Sequence, residues 1–301
     1  MKAPLETELA LLSVNEIAPA LGIDRAPPWA QKLAKSALMV PSRPLARVLA
    51  RLDRRVREAG LSSAADETLR ALGVRWEIAG SSEIPLKGPL LIVANHPGAY
   101  DALSLMASIG RSDLAIIAAD RPFLRALAGL RPHLLFIPLE PGNARTEARA
   151  AAMRRAIRHL GEGGALLHFP AGQIEPDPAF LKPGEEPLAE WQPGTSAFVR
   201  ATASKGGRVM AAIVAGVHSP RAKRLLVTKL AEKRGITTVA PILQAALPGF
   251  RDVLVRVYFS PPLLAETIAR EAGEAAINAR IRREAQALLT EIDGARGAPR
   301  G

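Results

Sequence analysis

Residues 89–105, with the sequence PLLIVANHPGAYDALSL, decide how the rest of the chain is interpreted. An apolar run rich in Leu, Ile and Val predicts a buried strand over Leu90–Ala94, and a Pro-Gly pair then turns the chain. A new apolar pattern predicts a helix over Asp101–Ile109. The strand would place the His96 imidazole at its carboxyl end, and the first turn of the helix would bring the Asp101 carboxylate back toward it. Open α/β folds place their chemistry at this edge of a sheet.

The alternation of strand and helix continues along the chain and predicts the fold class. Further strands are predicted at Val74–Ala79, Leu114–Ala118, Leu134–Pro138, Ala165–Phe169, Val209–Val217 and Val253–Phe259. Further helices are predicted at Arg121–Ala128, Ala144–Leu160, Gly194–Ser204 and Glu266–Ile292, and another within the basic connection Ser219–Gly235. Such alternation is typical of an α/β fold with a mostly parallel sheet flanked by helices.

The chain is predicted to divide into three parts. Residues 1–80 form an N-terminal helical appendage that offers a possible contact with a membrane surface. Residues 81–294 form the α/β core with its C-terminal helix, and residues 295–301 form a disordered tail.

Prolines are predicted to divide the appendage into short helices. These are expected at Thr7–Ile17, Trp29–Leu38 and Leu45–Gly60. A further helix is expected to run to Leu72, with Ser62 or Ser63 and Glu67 forming its N-terminal cap.

The composition narrows the function classes. The chain of 301 residues has no cysteine, which excludes disulfides, Cys-ligated zinc and a cysteine nucleophile. Its net charge is +11 and its pI about 10.6, so its surface attracts polyanions, unless the arginines only reflect a GC-rich genome. No apolar run reaches the ~20 residues that span a bilayer, and the N-terminus lacks the basic start of a signal peptide. We therefore expect a cytoplasmic protein, peripheral on the inner face of the cell membrane.

The His96 and Asp101 pair indicates proton-transfer chemistry. A neutral imidazole takes a proton from a hydroxyl or amine more readily when a carboxylate fixes its tautomer and stabilises the imidazolium that forms. The alternative is a histidine that only caps the helix or hydrogen-bonds within a loop. The strand before the pair and the helix after it favour the chemical interpretation.

A second strand ends at a Pro-Gly turn, in residues 163–172 with the sequence GGALLHFPAG. Glycine lets the backbone approach a ligand closely, and successive free N–H groups form an anion or oxyanion site. The alternative is an ordinary turn from strand to loop.

Together the two segments resemble the glycerophospholipid acyltransferase superfamily, of the lysophosphatidic acid acyltransferase (PlsC-like) type. Asn95, His96 and Asp101 match the family's first motif, Asn-His-x4-Asp, in full. Residues 169–172 match its third motif, Phe-Pro-Glu-Gly-Thr-Arg, at three of the first four positions. Between them, residues 135–140 occupy the place of a strand that ends in a basic acceptor-binding motif. The resemblance runs from about residue 86 to about residue 217.

The departures from the family pattern bear on the acceptor. Ala171 replaces the family's Glu, and Gln173 and Ile174 replace Thr-Arg. The Arg expected directly after the middle strand is absent, and Arg145 is the nearest candidate. Because these positions of the family hold glycerol-phosphate, the changes argue against an acceptor with a phosphate monoester.

The Phe-Pro-Ala-Gly form and the Arg-Pro-Phe-Leu-Arg run at residues 121–125 look more like the divergent hemolysin-like branch. Members of that branch are linked to acylation of amino-lipids or other lyso-lipids.

The resemblance implies an acyltransferase without a cofactor or a metal. His96 would deprotonate the acceptor, which attacks the thioester of acyl-coenzyme A or acyl-carrier protein, and Asp101 would hold the imidazole. N–H groups around Gly172 are candidates for stabilising the oxyanion. Candidate substrate-binding residues are Asn95, Phe169, Pro170, Ala171, Gly172 and Arg145. Trp29 and the Arg-rich helix Leu45–Gly60 would contact an anionic membrane that carries the lipid acceptor.

Other residues have a plainer interpretation. His133 and His159 are interpreted as structural, and His168 as a core histidine, with an orientation toward the site as its alternative. Glu175 and Asp177 are interpreted as solvated loop carboxylates, with replacement of the family's Glu as the alternative. The arginines of the helix at 144–160 are interpreted as a solvated face, with headgroups or coenzyme A phosphates as alternative ligands.

Two other function classes stay open. A non-catalytic lipid- or polyanion-binding protein on a degenerate acyltransferase scaffold is favoured by the altered motifs and opposed by the intact first motif. A nucleic-acid binder is supported only by the net charge, and aromatic residues for base stacking are few, at 4%. We therefore expect no nucleic-acid partner. The Gly-x-Ser-x-Gly elbow of serine hydrolases and the Walker loop are absent from the sequence.

Overall fold

The computed structural model describes residues 4–20, 22–80, 83–138, 143–181, 184–233 and 239–297. Within them the strands are β1 (Arg75–Ala79), β2 (Leu90–Ala94), β3 (Leu114–Ala119), β4 (Leu134–Ile137), β5 (Ala165–His168), β6 (Arg208–Ala215), β7 (Leu254–Phe259) and β8 (Leu263–Leu264). They form one eight-stranded sheet in the order β1-β7-β6-β2-β5-β3-β4, with β8 against β6. The five strands from β6 to β4 in this order are mutually parallel, whereas β7 and β8 run antiparallel to β6.

Helices cover both faces of the sheet. They are α1 (Leu5–Ala20), α2 (Pro28–Ala59), α3 (Leu61–Ala71), α4 (Asp101–Ile109), α5 (Pro122–Ala126), α6 (Asn143–Gly161), α7 (Thr195–Ala203), α8 (Pro220–Arg224), α9 (Leu226–Lys233), α10 (Val239–Ala246), α11 (Ala265–Ala269) and α12 (Glu274–Gly297). The α/β class with a mostly parallel sheet and an N-terminal helical region is confirmed. The predicted strands of the core, and its predicted helices between residues 101 and 204, lie within two residues of their observed bounds.

The central strand β2 is buried on both faces, as expected of a parallel strand covered by two helical layers. Leu90, Ile92 and Ala94 enter the apolar cluster that α2, α3 and α4 line. Leu91 and Val93 enter the opposite cluster, which α6, α7 and α12 line. The chain reaches β5 on one side of β2 and then crosses to β6 on the other. The carboxyl end of β2 therefore faces the crevice where such folds bind ligands.

The prolines do not divide the second helix, so the prediction of separate helices at Trp29–Leu38 and Leu45–Gly60 is wrong. Pro41 and Pro44 both lie inside α2. Each proline removes one main-chain donor, but the surrounding turns gain burial. Ala46 is fully buried in the same cluster as Leu9 of α1, so tertiary packing outweighs the local preference.

The N-terminal region is joined to the core by strand pairing and by a buried carboxylate. β1 pairs in parallel with β7, so the predicted boundary at residue 80 falls just after a strand of the shared sheet. Asp53 of α2 is fully buried, and its Oδ1 accepts the N–H groups of Gly129 at 2.7 Å and Leu130 at 3.1 Å. This contact fixes α2 against the loop that follows α5.

The predicted cap of α3 is wrong. The N-cap residue is Gly60, which has no side chain that could bond to the helix. The hydroxyl of Ser62 donates instead to the carbonyl of Ala107 at 2.7 Å, and Glu67 accepts from Nε of Arg55 at 2.8 Å. Both side chains therefore join α3 to neighbouring helices.

The C-terminal helix is broken, which corrects the prediction of one helix over Glu266–Ile292. α11 ends at Ala269, and α12 begins after Gly273, whose φ of 92° is a conformation that glycine adopts at low cost. α12 reaches Gly297, so it includes the first residues of the predicted tail, and residues 298–301 lie outside those described. In the part of the chain that the structure describes, no helix combines the length and apolarity needed to cross a bilayer.

Candidate active site

The turn between β2 and α4 brings His96 and Asp101 together. Asp101 is the first residue of α4, where the helix dipole favours a negative charge. Its Oδ2 lies 2.7 Å from Nδ1 of His96 and accepts the N–H of Gly98, also at 2.7 Å. The turn needs left-handed backbone at Gly98, with φ 84°, and at Ala99, with φ 53°. The predicted pair is therefore present in the fold.

This contact sets the tautomer of the imidazole. A carboxylate only accepts hydrogen bonds, so Nδ1 of His96 carries the proton and Nε2 keeps a lone pair in the neutral ring. The Phe169 ring packs on the imidazole with ring centres 4.6 Å apart. The His96 side chain is 30% exposed, whereas that of Asp101 is 3% exposed. The geometry therefore presents a partly accessible imidazole supported by a buried carboxylate.

The pKa of His96 is raised from its ordinary value of 6.5. Burial of the ring lowers this pKa, but the hydrogen bond and negative charge of Asp101, together with the charge of Glu175, raise it by more. A raised pKa makes the imidazole a stronger acceptor of a proton and stabilises the imidazolium that results.

Asn95 holds two strands together at the edge of the site. Its side-chain nitrogen donates to the carbonyl of Val214 at 3.0 Å, and its side-chain oxygen accepts the N–H of Val214 at 2.7 Å. The amide thus continues the ladder between β2 and β6 beyond the last paired residues. Asn95 is buried, and its amide engages the main chain of β6. Its predicted role in binding substrate stays a prediction.

The Phe-Pro-Ala-Gly turn after β5 lies beside His96 through Phe169. Pro170 is buried, and its carbonyl accepts the N–H of Gln192 at 2.8 Å. Ala171 is also buried, while Gly172 is exposed with φ 64°. The N–H of Gly172 donates to the carbonyl of Phe169 at 3.2 Å and closes the turn. The turn itself therefore uses the N–H of Gly172, and the role of the N–H groups around Gly172 in stabilising an oxyanion stays a prediction.

Glu175 and Asp177 are not solvated loop carboxylates, which corrects the sequence interpretation. Both are buried, with 2% and 3% of their surface exposed. Glu175 accepts the main-chain N–H of His96 at 2.8 Å. Asp177 accepts the N–H groups of Gly216 at 2.8 Å and His218 at 3.0 Å. The sequence shows these two carboxylates in a loop that follows a motif turn. It does not show their hydrogen-bond partners, because those residues are distant in sequence.

Asp177 and His218 form a second histidine and carboxylate pair. Nδ1 of His218 lies 3.4 Å from Oδ2 of Asp177, a distance too long for a good hydrogen bond. Burial raises the pKa of Asp177, but the interactions with His218 and the N–H groups of Ala179 and Gly216 lower it by more, so the net shift is downward. This carboxylate fixes the segment after β6.

The remaining predicted residues belong to the middle segment, the 121–125 run and α6. Arg145 is in the first turn of α6, and its side chain is outside the described residues, as are Leu139 and Glu140 of the middle segment. In the Arg-Pro-Phe-Leu-Arg run, Arg125 pairs with Asp120 and lies 5.0 Å from the centre of the Phe136 ring. The arginines of α6 with described side chains are exposed: Arg149, Arg154, Arg155 and Arg158.

The other histidines serve the fold. Nδ1 of His133 lies 2.9 Å from the carbonyl of Leu114, and His159 contacts the carbonyls of Asp113 and Ala165, all at the amino-terminal edge of the sheet. Nε2 of His168 lies 3.2 Å from the hydroxyl of Thr195, on the face opposite Phe169. Burial lowers the pKa of His168 to about 4, so this ring stays neutral. Within the described residues, no three His, Asp or Glu side chains are placed to hold a metal ion.

Comparisons with known proteins bear on the family. Residues 75–218 match the family model described as Acyltransferase. A comparison with curated proteins gives no match. Among solved structures, the 1-acyl-sn-glycerophosphate (LPA) acyltransferase PlsC from Thermotoga maritima matches with a TM-score of 0.48 and 16% identity, over 93% of this chain and 95% of that chain. The segment matched by the family model contains both motifs on which the resemblance rests. Residues 75–218, slightly less than half of the chain, are therefore similar to the family described as Acyltransferase.

Proposed function

We propose that the protein transfers a fatty acyl group to a hydroxyl or amine of a lysophospholipid or related lipid acceptor. The donor is the thioester of acyl-coenzyme A or acyl-carrier protein. The observation that carries this proposal is the Nδ1 contact of His96 with buried Asp101, at the carboxyl edge of the sheet and inside the segment that matches the Acyltransferase family model. The contact leaves Nε2 of His96 as the base.

The reaction needs no covalent acyl-enzyme. Nε2 of His96 takes the proton of the acceptor as the acceptor oxygen or nitrogen attacks the thioester carbonyl. The carbon–sulfur bond of the tetrahedral intermediate then breaks, and the imidazolium returns its proton to the departing thiolate. Asp101 keeps the ring in the required tautomer and compensates its transient positive charge. The products are the acylated acceptor and the free thiol of the donor.

The residues near the turn bear on the kind of acceptor. Ala171 is buried in the place where the family carries Glu, and no Arg follows it in the motif. We therefore propose an amine or hydroxyl acceptor that does not present a phosphate monoester at this turn. The phosphates of the donor or of a headgroup would contact cations of α6, for which Arg145 is the candidate closest to the middle motif.

We further propose that α2 lies against an anionic membrane surface. Trp29, Leu33 and Val40 occupy one stripe of this helix and are 69%, 64% and 72% exposed. Lys32 and Arg43 are exposed beside the stripe. Apolar side chains flanked by cations are typical of helices that lie in the headgroup region of anionic bilayers. Such contact would bring the site to the lipid acceptor.

A second surface with the same chemistry lies on α9. Leu226 and Val227 are 71% and 57% exposed, and Lys229 is exposed next to them. α10 packs against both α2 and α9. We propose that this patch contributes to the same lipid contact.

The test is an acyl-transfer assay with the purified protein. Acyl-coenzyme A and acyl-carrier protein are each incubated with a panel of lyso-lipids and amino-lipids, and products are identified by mass spectrometry. The proposal expects a mass increase by one acyl group on at least one acceptor, with release of one thiol per product. Binding to anionic vesicles without acyl transfer to any acceptor would favour the alternative, a lipid-binding protein on this scaffold.

A further inference from the structure

Glu175 is a buried carboxylate beside the His96 turn, and it belongs to neither of the two sequence motifs. It lies in the loop after β5, 79 residues beyond His96 in the sequence. Only 2% of its surface is exposed, although ionisable side chains are rarely buried without a specific partner. The hydrogen-bond partners of Glu175 therefore explain why this carboxylate is buried.

The main chain of His96 is held by Glu175 in two directions. Oε2 of Glu175 accepts the N–H of His96 at 2.8 Å, and the N–H of Glu175 donates to the carbonyl of His96 at 2.8 Å. Both polar groups of the His96 peptide unit are thus occupied by one residue. Since β2 ends at Ala94, no strand ladder holds His96, and Glu175 supplies the pairing that the sheet no longer provides.

Glu175 is itself fixed by the polypeptide behind it. Its Oε1 accepts the N–H of Ala189 at 2.7 Å. Arg282 of α12 donates to the carbonyls of Leu188 and Ala189, each at 2.7 Å. A continuous set of hydrogen bonds therefore runs from α12 through the 188–189 segment and Glu175 to the main chain of His96.

The charges that face His96 come from two elements. Asp101 approaches from α4 and Glu175 from the loop after β5, and both raise the pKa of the imidazole. For Glu175, burial raises the pKa of the carboxyl, while the N–H groups of His96 and Ala189 and the positive charges of His96 and Arg282 lower it, with a net upward shift. The contacts that hold the histidine therefore offset part of the cost of burying the carboxylate.

We propose that Glu175 is a positioning residue for the base: it fixes the main chain of His96 through reciprocal hydrogen bonds and places a second carboxylate charge beside the imidazole. Its effect on turnover rests on the proposed acyltransferase function. Its effect on the imidazole does not, because the two carboxylates act on the ring in the free protein.

The experiment is a pH titration of His96 by NMR in the full chain, with isotope-labelled histidine. The signal of His96 is identified among those of the five histidines as the one that the His96→Ala variant lacks. We expect Glu175→Gln to lower the pKa of His96, because the substitution removes one of the two negative charges that raise it. The matched control is Asp177→Asn, another buried carboxylate of the same loop, which binds the main chain of Gly216 and His218. The control is expected to leave the pKa of His96 at its parent value.

Kinetics of the same variants give the second measurement. Glu175→Gln is expected to lower kcat by about 10²-fold, because the substitution displaces the base. KM is expected to stay within about twofold of the parent value, because the substrate is not displaced. The acid limb of kcat/KM for this variant is expected to move to lower pH, following the imidazole.

An unchanged pKa of His96 in Glu175→Gln would overturn the proposal. If that variant does not fold, Glu175→Asp is used, which keeps the charge but withdraws it by about 1.5 Å. The shortened carboxylate is expected to lose its bond to the N–H of His96, so a main-chain amide signal of His96 in the aspartate variant identical to that of the parent would overturn the proposal equally. A parent protein that acylates no acceptor would refute the proposed function, and the titration would still decide the role of Glu175.

Discussion

Oδ2 of Asp101 lies 2.7 Å from Nδ1 of His96 and also accepts the N–H of Gly98 at 2.7 Å. One oxygen atom therefore closes the turn and orients the imidazole. Because the carboxylate is buried at the start of α4, the imidazole is held on a rigid element, which favours a fixed position of Nε2.

Replacement of His96 by Ala is expected to lower acyl transfer by about 10²–10⁴-fold, the range that a general base contributes. The fold should be retained, because buried Asp101 keeps the N–H groups of Gly98 and Ala102 as partners when the imidazole is removed. The control is His133→Gln, which alters a histidine at the opposite edge of the sheet and should keep parent activity. Acyl transfer is measured by mass spectrometry and unfolding by urea denaturation. A His96→Ala variant that turns over at the parent rate would exclude the proposed base.

Asp101→Asn is expected to lower kcat by about 10²-fold or more while KM stays close to its parent value. An amide in place of the carboxylate no longer selects the Nδ1–H tautomer. The hydrogen bond and charge of Asp101 raise the pKa of His96, so the variant should keep its remaining activity to lower pH than the parent does. The measurement is a pH profile of kcat/KM, and an acid limb that moves to higher pH would contradict this assignment.

The same pair links stability to pH. The pKa of folded His96 is raised above 6.5, so its protonated ring contributes stability that is fully present below that pH. This contribution is lost as the pH rises through the folded pKa. The gap in unfolding free energy between the parent and Asp101→Asn should therefore narrow as the pH rises across this window, as measured by urea denaturation.

Asn95→Ala is expected to lower the free energy of unfolding by about 2 kcal/mol or more. The substitution leaves the N–H and carbonyl of Val214 without their partners, at a position that is fully buried. Asn15→Ala, on the exposed surface of α1, is the matched control and should stay within about 0.5 kcal/mol of the parent. Equal stability of the two variants would show that the Asn95 amide does not hold β2 to β6.

The sequence predicted the parts of the site that are local. His96 and Asp101 are five positions apart, so a strand, a turn and a helix suffice to bring them together. Phe169 was found because it belongs to a motif turn. The contact of Glu175 with His96 joins residues 79 positions apart, and only the crossing of the chain from β5 to β6 creates it. A periodic pattern carries no information on such a contact.

The errors in the helices have a related cause. Pro41 and Pro44 predicted a break, but α2 is continuous because its turns pack on α1 and on the sheet. The Ser62 and Glu67 pattern predicted a cap, but both side chains contact other helices. In each case tertiary contacts outweigh a local preference, which is about 3 kcal/mol for a proline inside a helix and about 1 kcal/mol for an N-cap residue.

Removal of the apolar stripe on α2 is expected to weaken binding to anionic vesicles. The variant Trp29→Ser/Leu33→Ser loses two exposed apolar side chains without opening the core. It should bind vesicles of mixed anionic and zwitterionic lipid at least tenfold more weakly, since each side chain contributes about 1.5–3 kcal/mol when buried.

Leu264→Ser is the matched control, because this exposed leucine belongs to β8, which pairs with the amino-terminal end of β6. Co-sedimentation across a salt series measures the affinity for the vesicles. Added salt should weaken vesicle binding by the parent protein, because Lys32 and Arg43 flank the stripe. Equal loss of binding in the control and the double variant would show that the stripe is not the lipid contact.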